Sequence, residues 1–160
     1  MEESRRVALR RAEAATRRPL VRRDLRAAQA ELRIPEDEVD EGDLDGVRRT
    51  VQRVVAYLVD GEWAEVERIS GGRRLSAADL ADAVAEYGRT LLPLPEEGMR
   101  AVDVLPIDPA AWSRPDRREL AVHVPLWTRE EGPSDLSLAL TLVEAQDGTF
   151  DVEVDNVEVL

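Results

Sequence analysis

The chain contains no cysteine and no lysine, and only one histidine, His123. The first absence rules out disulfides and thiolate metal sites, and it fits a reducing compartment. A single imidazole cannot build a histidine-rich zinc or iron centre, so composition leaves open only an all-carboxylate site for a hard cation. No metal and no cofactor are expected. The basic residues are all arginine, which we read as a mark of GC-rich coding rather than of chemistry. Aromatics make up 4% of the chain. No stretch approaches the roughly 18 apolar residues a membrane helix requires. Arg5-Arg6 resembles the start of a twin-arginine signal, but Arg10, Arg11 and Glu13 stand where its apolar stretch should follow. The expected compartment is the cytoplasm, with no membrane contact.

Charge divides the sequence unevenly. Residues 1–33 hold ten arginines against five acids, whereas the remainder holds twelve against twenty-nine. Residues 1–33 read as an arginine-rich helical arm, rich in helix-forming alanine, leucine and glutamate and broken near Pro19. Val21, Leu25, Ala28 and Leu32 form a narrow apolar seam at four-three-four spacing. That seam is fit to pack on the rest of the chain or on a second copy. Ile34-Pro35 ends the arm, and residues 34–46, dense in acids, read as an acidic linker. Residues 47–160 then form one α+β domain, its apolar pattern starting near Leu44.

Leu44, Val47, Val51, Val54 and Leu58 recur at three-four spacing, which predicts a helix ended by Asp60-Gly61. A short second helix is expected from Glu62 to Val66. A third, capped by Ser76 with Asp79 in its first turn, turns Leu80, Val84, Tyr87 and Leu91 inward. After Pro95 the pattern reads as strand and turn alone. Strands are expected over 101–107, 118–128, 135–144 and 149–159, the last two joined by the hairpin signal Asp147-Gly148. Period-two alternation places Leu120, Val122, Val124 and Leu126, then Leu136, Leu138, Leu140 and Leu142, then Phe150, Val152 and Val154 on one dry face. His123, Ser137, Ala139, Thr141, Asp151, Glu153 and Asp155 take the opposite, wet face. The phase slips after Val154, which predicts a bulge near Asp155-Asn156. The expected fold is therefore helices first, then a four-stranded antiparallel meander covered on one face by helices.

The order helix, Asp60-Gly61-Glu62-Trp63, short helix, and then strands resembles the opening of the cone-shaped, nuclear-transport-factor-two-like folds. Trp127-Thr128-Arg129-Glu130-Glu131-Gly132-Pro133-Ser134-Asp135-Leu136 and the closing Val154–Leu160 stretch resemble an uncharacterised actinobacterial domain family. The first resemblance implies a pocket between helices and sheet. The second implies no catalytic residues. Because the inward set is leucine, valine and phenylalanine, no catalytic residue is expected there. Tyr57, Tyr87 and Asp103 are the ligand-binding candidates if such a pocket exists. Trp127, Glu130, Glu131, Asp135 and His123 are the candidates for contacting a partner. The strongly acidic body points to another protein as partner, a basic one, in the manner of an immunity-type or antitoxin-type inhibitor. The alternative is a cone-fold small-ligand binder or enzyme. A homodimer through the seam or the wet face is also open. Nucleic acid is not an expected partner, because the arm interleaves arginines with acids and offers no stacking aromatics.

Overall fold

Two aspartates start the first helix. Asp40 accepts the Asp43 N–H at 2.8 Å while Asp43 accepts the Asp40 N–H at 3.2 Å, a reciprocal cap that opens α1 (Glu41–Val59). The computed structural model describes residues 39–160. The arginine-rich arm, its break at Pro19 and its seam lie outside the described residues. α1 begins inside the stretch read as acidic linker, because acids in a first turn meet the positive end of the helix dipole. The three-four stripe is the face that packs: Val47, Val51, Val54, Val55 and Leu58 are buried. Their β-branching costs little beside the area they remove from water.

α2 (Trp63–Ser70) follows a tight turn at Asp60-Gly61 and ends at Gly71. The expected capping signal opens α3 (Ala77–Tyr87): Ser76 Oγ accepts the Asp79 N–H at 3.1 Å and Asp79 accepts the Ser76 N–H at 3.0 Å. The chain then departs from the reading above. α3 stops at Gly88, in the left-handed conformation, so Leu91 belongs to a two-residue strand, β1 (Leu91–Leu92). A five-residue helix, α4 (Glu96–Arg100), stands where only strand and turn were expected. Both pieces are too short to show a period, and Pro93 and Pro95 mask them as loop.

The rest is sheet: β2 (Asp103–Pro106), a 3-10 turn at Pro109–Ala111, β3 (Glu119–Thr128), β4 (Gly132–Glu144) and β5 (Phe150–Val159). The architecture is α+β with helices first and an open antiparallel sheet, but the sheet has five strands rather than four. β3, β4 and β5 lie side by side, and β1 and β2 both pair with the free side of β3. The Asp147-Gly148 hairpin forms, with Gly148 at φ 82. The expected bulge is present: Leu140 pairs with Val154 and Ala139 with Asn156, leaving Asp155 as the extra residue. A second irregularity separates Pro125 from Trp127. There Ser134 Oγ donates to the Leu126 carbonyl at 2.7 Å and accepts the Leu136 N–H at 3.2 Å.

Alternation sorts the two faces as expected. Leu120, Val122, Val124, Leu126, Leu136, Leu138, Leu140, Leu142, Val152 and Val154 join α1 in a single core. The opposite face, however, is not wet. Glu119, His123, Ser137, Thr141, Glu153 and Asp155 are all buried. Side chains and loop reach over it from several places. At one end the Trp127 indole lies against Gly98, where an added Cβ would stand 2.7 Å from its Nε1. At the other, the segment after β2 folds back so that the Ser113 N–H meets the Glu119 carboxylate at 2.6 Å. Polar sequence there reflects paired burial rather than solvation.

α1 is tied to the sheet by charge. Arg118 Nη2 stands 2.8 Å from Asp43 and its Nε 3.0 Å from Glu144. The Arg118 hydrogen bond holds the Asp43 carboxyl below the usual aspartate range, with burial opposing it. A carboxyl depressed in the folded state stabilises the fold above its unfolded pKa and loses that contribution as pH falls through the folded one. Asp43→Asn is therefore expected to melt below the native chain at neutral pH. The gap should close as pH falls from about 5 toward 3. Melting curves across that window check this, and a gap that stays constant would show that the pair contributes nothing.

Candidate functional site

Strand register gathers the chemistry-bearing side chains on the outer face. Asp103 of β2 stands opposite His123 of β3, and His123 Nε2 is hydrogen-bonded to Ser137 Oγ of β4. Acid, imidazole and hydroxyl in that order form the relay of nucleophilic hydrolases. Yet Ser137 is 3% and His123 4% exposed, which leaves the hydroxyl no approach for a substrate. In this structure the row joins polar groups across three strands.

One row further along lies a charged cluster. Gly71 and Gly72, at φ 73 and φ 60, turn the chain after α2 so that Arg74 reaches the outer face of β5. Only glycine takes two such angles in succession at little cost. Arg74 Nη2 lies 2.9 Å from Glu153 and Nη1 lies 2.6 Å from Asp155. Thr141 Oγ1 donates to the second oxygen of Asp155 at 2.6 Å, and Arg73 approaches Glu153 at 3.6 Å. One buried guanidinium between two buried carboxylates holds the edge strand to the α2–α3 turn.

The partner-contact candidates have internal work. Glu130 accepts the Thr90 N–H at 2.7 Å, a bond that lowers its carboxyl pKa. Glu131 receives the Tyr87 hydroxyl at 2.7 Å and the Thr128 hydroxyl at 3.0 Å. Burial first, then the hydrogen bond to Glu131, pushes the Tyr87 hydroxyl up. These contacts bind the β3–β4 turn to the end of α3, and the Trp127 indole on Gly98 holds the end of β3 to α4. Asp135 is exposed, and its carbonyl accepts the Leu160 N–H at 3.0 Å. The ligand candidates do not share a pocket. Tyr57, with the Arg53 guanidinium 5.9 Å from its ring centre, packs on the core from α1. Tyr87 packs there from α3, and Asp103 lies on the other side of the sheet.

A groove of about 490 Å³ runs between α3 and β5. Leu75, Ala83, Leu136 and Val157 line it together with Asp79, Glu86, Tyr87, Asn156 and Glu158, so that its exposed lining is more polar than apolar. Sequence reasoning missed both this groove and the role of Arg74. The available signal for Arg74 was three acids at alternate positions of one strand, Asp151, Glu153 and Asp155, which require a cation if that face is covered.

Residues 55–160 match the model of a family described as a domain of unknown function (DUF7668). The chain belongs to this family. The DUF7668 match starts within α1 and takes in every strand of the sheet, the Arg74 cluster and the α3–β5 groove. No curated protein and no solved structure matches the chain. Among the described residues, no group of three or more histidine, aspartate and glutamate side chains is placed to hold a metal ion. No helix among them is long and apolar enough to cross a membrane.

Proposed function

We propose that this DUF7668 domain is a non-catalytic protein-interaction module whose partner is a basic protein, in the form of an immunity-type or antitoxin-type inhibitor. The observation that carries the reading is the acid excess of the folded part. Residues 39–160 hold twenty-six acids against twelve arginines, and Arg74 is spent on internal carboxylates. The surface that remains is strongly negative, which steers and selects basic partners. The groove walls Glu86 and Glu158 and the exposed Asp135 and Asp151 are the contact residues this reading favours over Glu130, Glu131 and Trp127. The cytoplasm, an actinobacterial family and descent from cone-shaped nuclear-transport-factor-two-like folds belong to the same reading. The alternative, a ligand pocket between helices and sheet, gains no support from a space filled by buried leucine and valine.

Affinity purification of the full chain from its native cytoplasm tests this. A basic protein should co-elute in stoichiometric amount, leave at high salt, and be lost from a Glu86→Arg, Glu158→Arg, Asp135→Arg variant. A tightly held small molecule with no protein partner would overturn it.

A further inference from the structure

The acidic surface is interrupted beside the Arg74 cluster. A groove of about 240 Å³ lies where the end of α2 and its turn, the loop before β3 and the start of β5 meet. Arg68, Arg73, Arg114 and Arg117 line it, with Asp151 and Glu153 as its acids. Four of the twelve arginines of residues 39–160 thus share one small concavity, against the sign of the domain as a whole. Their carboxylate partners do not exhaust them. Glu153 is already held by the buried Arg74 at 2.9 Å, so Arg73, at 3.6 Å and 62% exposed, is a second and looser cation on the same group. The Arg68 pair with Glu65 is exposed on both sides, and such pairs contribute little. Arg114 makes no ion pair among the described residues. Arg117 is fixed in place, its Nε donating to the Glu144 carbonyl at 2.7 Å and its Nη2 to Asp151 at 2.6 Å. We infer that this groove binds a small phosphate-bearing anion, held by Arg114 and Arg73 with the fixed guanidinium of Arg117 beside them.

Chemistry and size narrow the ligand. A guanidinium presents paired N–H donors in one plane, the arrangement that meets two oxygens of a phosphate. A long polyanion would run on from the groove over acidic surface and be repelled there. A small anion meets mainly the local arginines, because charges more than about 8 Å away are screened at physiological salt. The groove is smaller than the roughly 300–1,000 Å³ of pockets for drug-sized ligands, which suits a phosphate with little attached. Val143 and Val152, both buried, give it a firm base. The part of the site that Arg117 supplies needs no ordering on binding, which lowers the entropic cost. The inference goes beyond the basic-partner reading, which draws on Glu86, Glu158 and Asp135. Asp151, common to both, is here already paired with Arg117, and either reading stands if the other fails.

Titration of the isotope-enriched full chain with sodium phosphate, and separately with a nucleoside diphosphate, tests this. Amide signals of Gly72, Arg73, Ser113 and Arg114 should shift and saturate. The tighter of the two arms tells a bare phosphate ion from a phosphate carried on a larger molecule. Arg114→Gln should weaken binding about tenfold, the effect of losing one charge-assisted contact, and adding Arg73→Gln should abolish it. Arg114 makes no described ion pair and Arg73 only the loose one, so both variants should fold, and their own spectra report it. Arg48→Gln, an equal change of charge at an exposed position of α1, should bind as the native chain does. No shift, shifts that grow without saturating, an equal loss in Arg48→Gln, or an equal response to sodium chloride at matched ionic strength would overturn the proposal. So would tighter binding of a single-stranded oligonucleotide than of either small phosphate, since the ligand would then be a nucleic acid.

Discussion

Arg74→Ala is expected to destabilise the domain by about 3–5 kcal/mol, the usual consequence of removing one member of a buried ion cluster. The side chain is 8% exposed and serves two carboxylates that are themselves 8% exposed. Its loss leaves Glu153 and Asp155 buried near each other without their shared cation, and neither can regain full hydration without opening the β5 edge. Repulsion between them adds to the desolvation cost. Arg74→Lys should fall between native and alanine, because an ammonium cannot offer two nitrogens to two acceptors in the fixed planar geometry of a guanidinium. Asp155→Asn placed on Arg74→Ala should recover part of the loss by removing one negative charge while leaving Thr141 an acceptor. Urea unfolding of the four chains measures all of this. A deficit below about 1 kcal/mol, the range of exposed ion pairs, would show that water already reaches the cluster.

That cluster also marks how far a one-dimensional reading extends. The inner face was legible because its cause is local: side chains alternate along a strand, and only one parity of β3, β4 and β5 is continuously apolar. The hairpin was legible because Asp147-Gly148 suits the positive φ of its turn, and the bulge because Val154 and Val157 break phase. The capping box at Ser76 and Asp79 was legible for the same reason of short range. What escaped depends on contacts between distant residues. Arg74 and Glu153 are 79 positions apart and Tyr87 and Glu131 are 44 apart. No local pattern says that a turn arginine crosses the edge of a sheet, or that Glu131 faces a tyrosine. The outer face was misjudged because alternation reports which residues share a face, not what lies over it. His123, Ser137 and Thr141 look the same in sequence whether water or protein meets them. β1 escaped because two residues contain no period. The candidate site was less legible than the fold, since a charged groove between a helix and an edge strand leaves no motif.

Leu140→Ala should cost about 2–5 kcal/mol, with a value in the upper half of that range. Leu140 is 1% exposed, on a strand with neighbours on both sides, directly opposite Val122 of β3 and Val154 of β5. The cost of a deleted side chain depends on how far its surroundings can close on the space left behind. Here closing is resisted. Both flanking strands are held at fixed spacing by their hydrogen-bond ladders, and α1 packs its valines onto the same core. The bulge at Asp155 adds a second constraint, because a shift of β5 toward the space would strain the Arg74 contacts one residue away. Leu140→Met, which keeps the volume, should cost less than about 1.5 kcal/mol. Thr141→Val, the next residue on the opposite face, should act by a different route. It fills the same space but removes the hydroxyl bonded to Asp155, so its cost should come from an unmet hydrogen bond, about 1–3 kcal/mol. The routes separate in an Asp155→Asn background: the Thr141→Val deficit should shrink there, because the charged acceptor of its hydroxyl is gone, and the Leu140→Ala deficit should not. Denaturant unfolding in both backgrounds, with unchanged slopes, decides it. A Leu140→Ala loss smaller than that of Thr141→Val at neutral pH would mean that the apolar face of β4 is not the one packed on the helices.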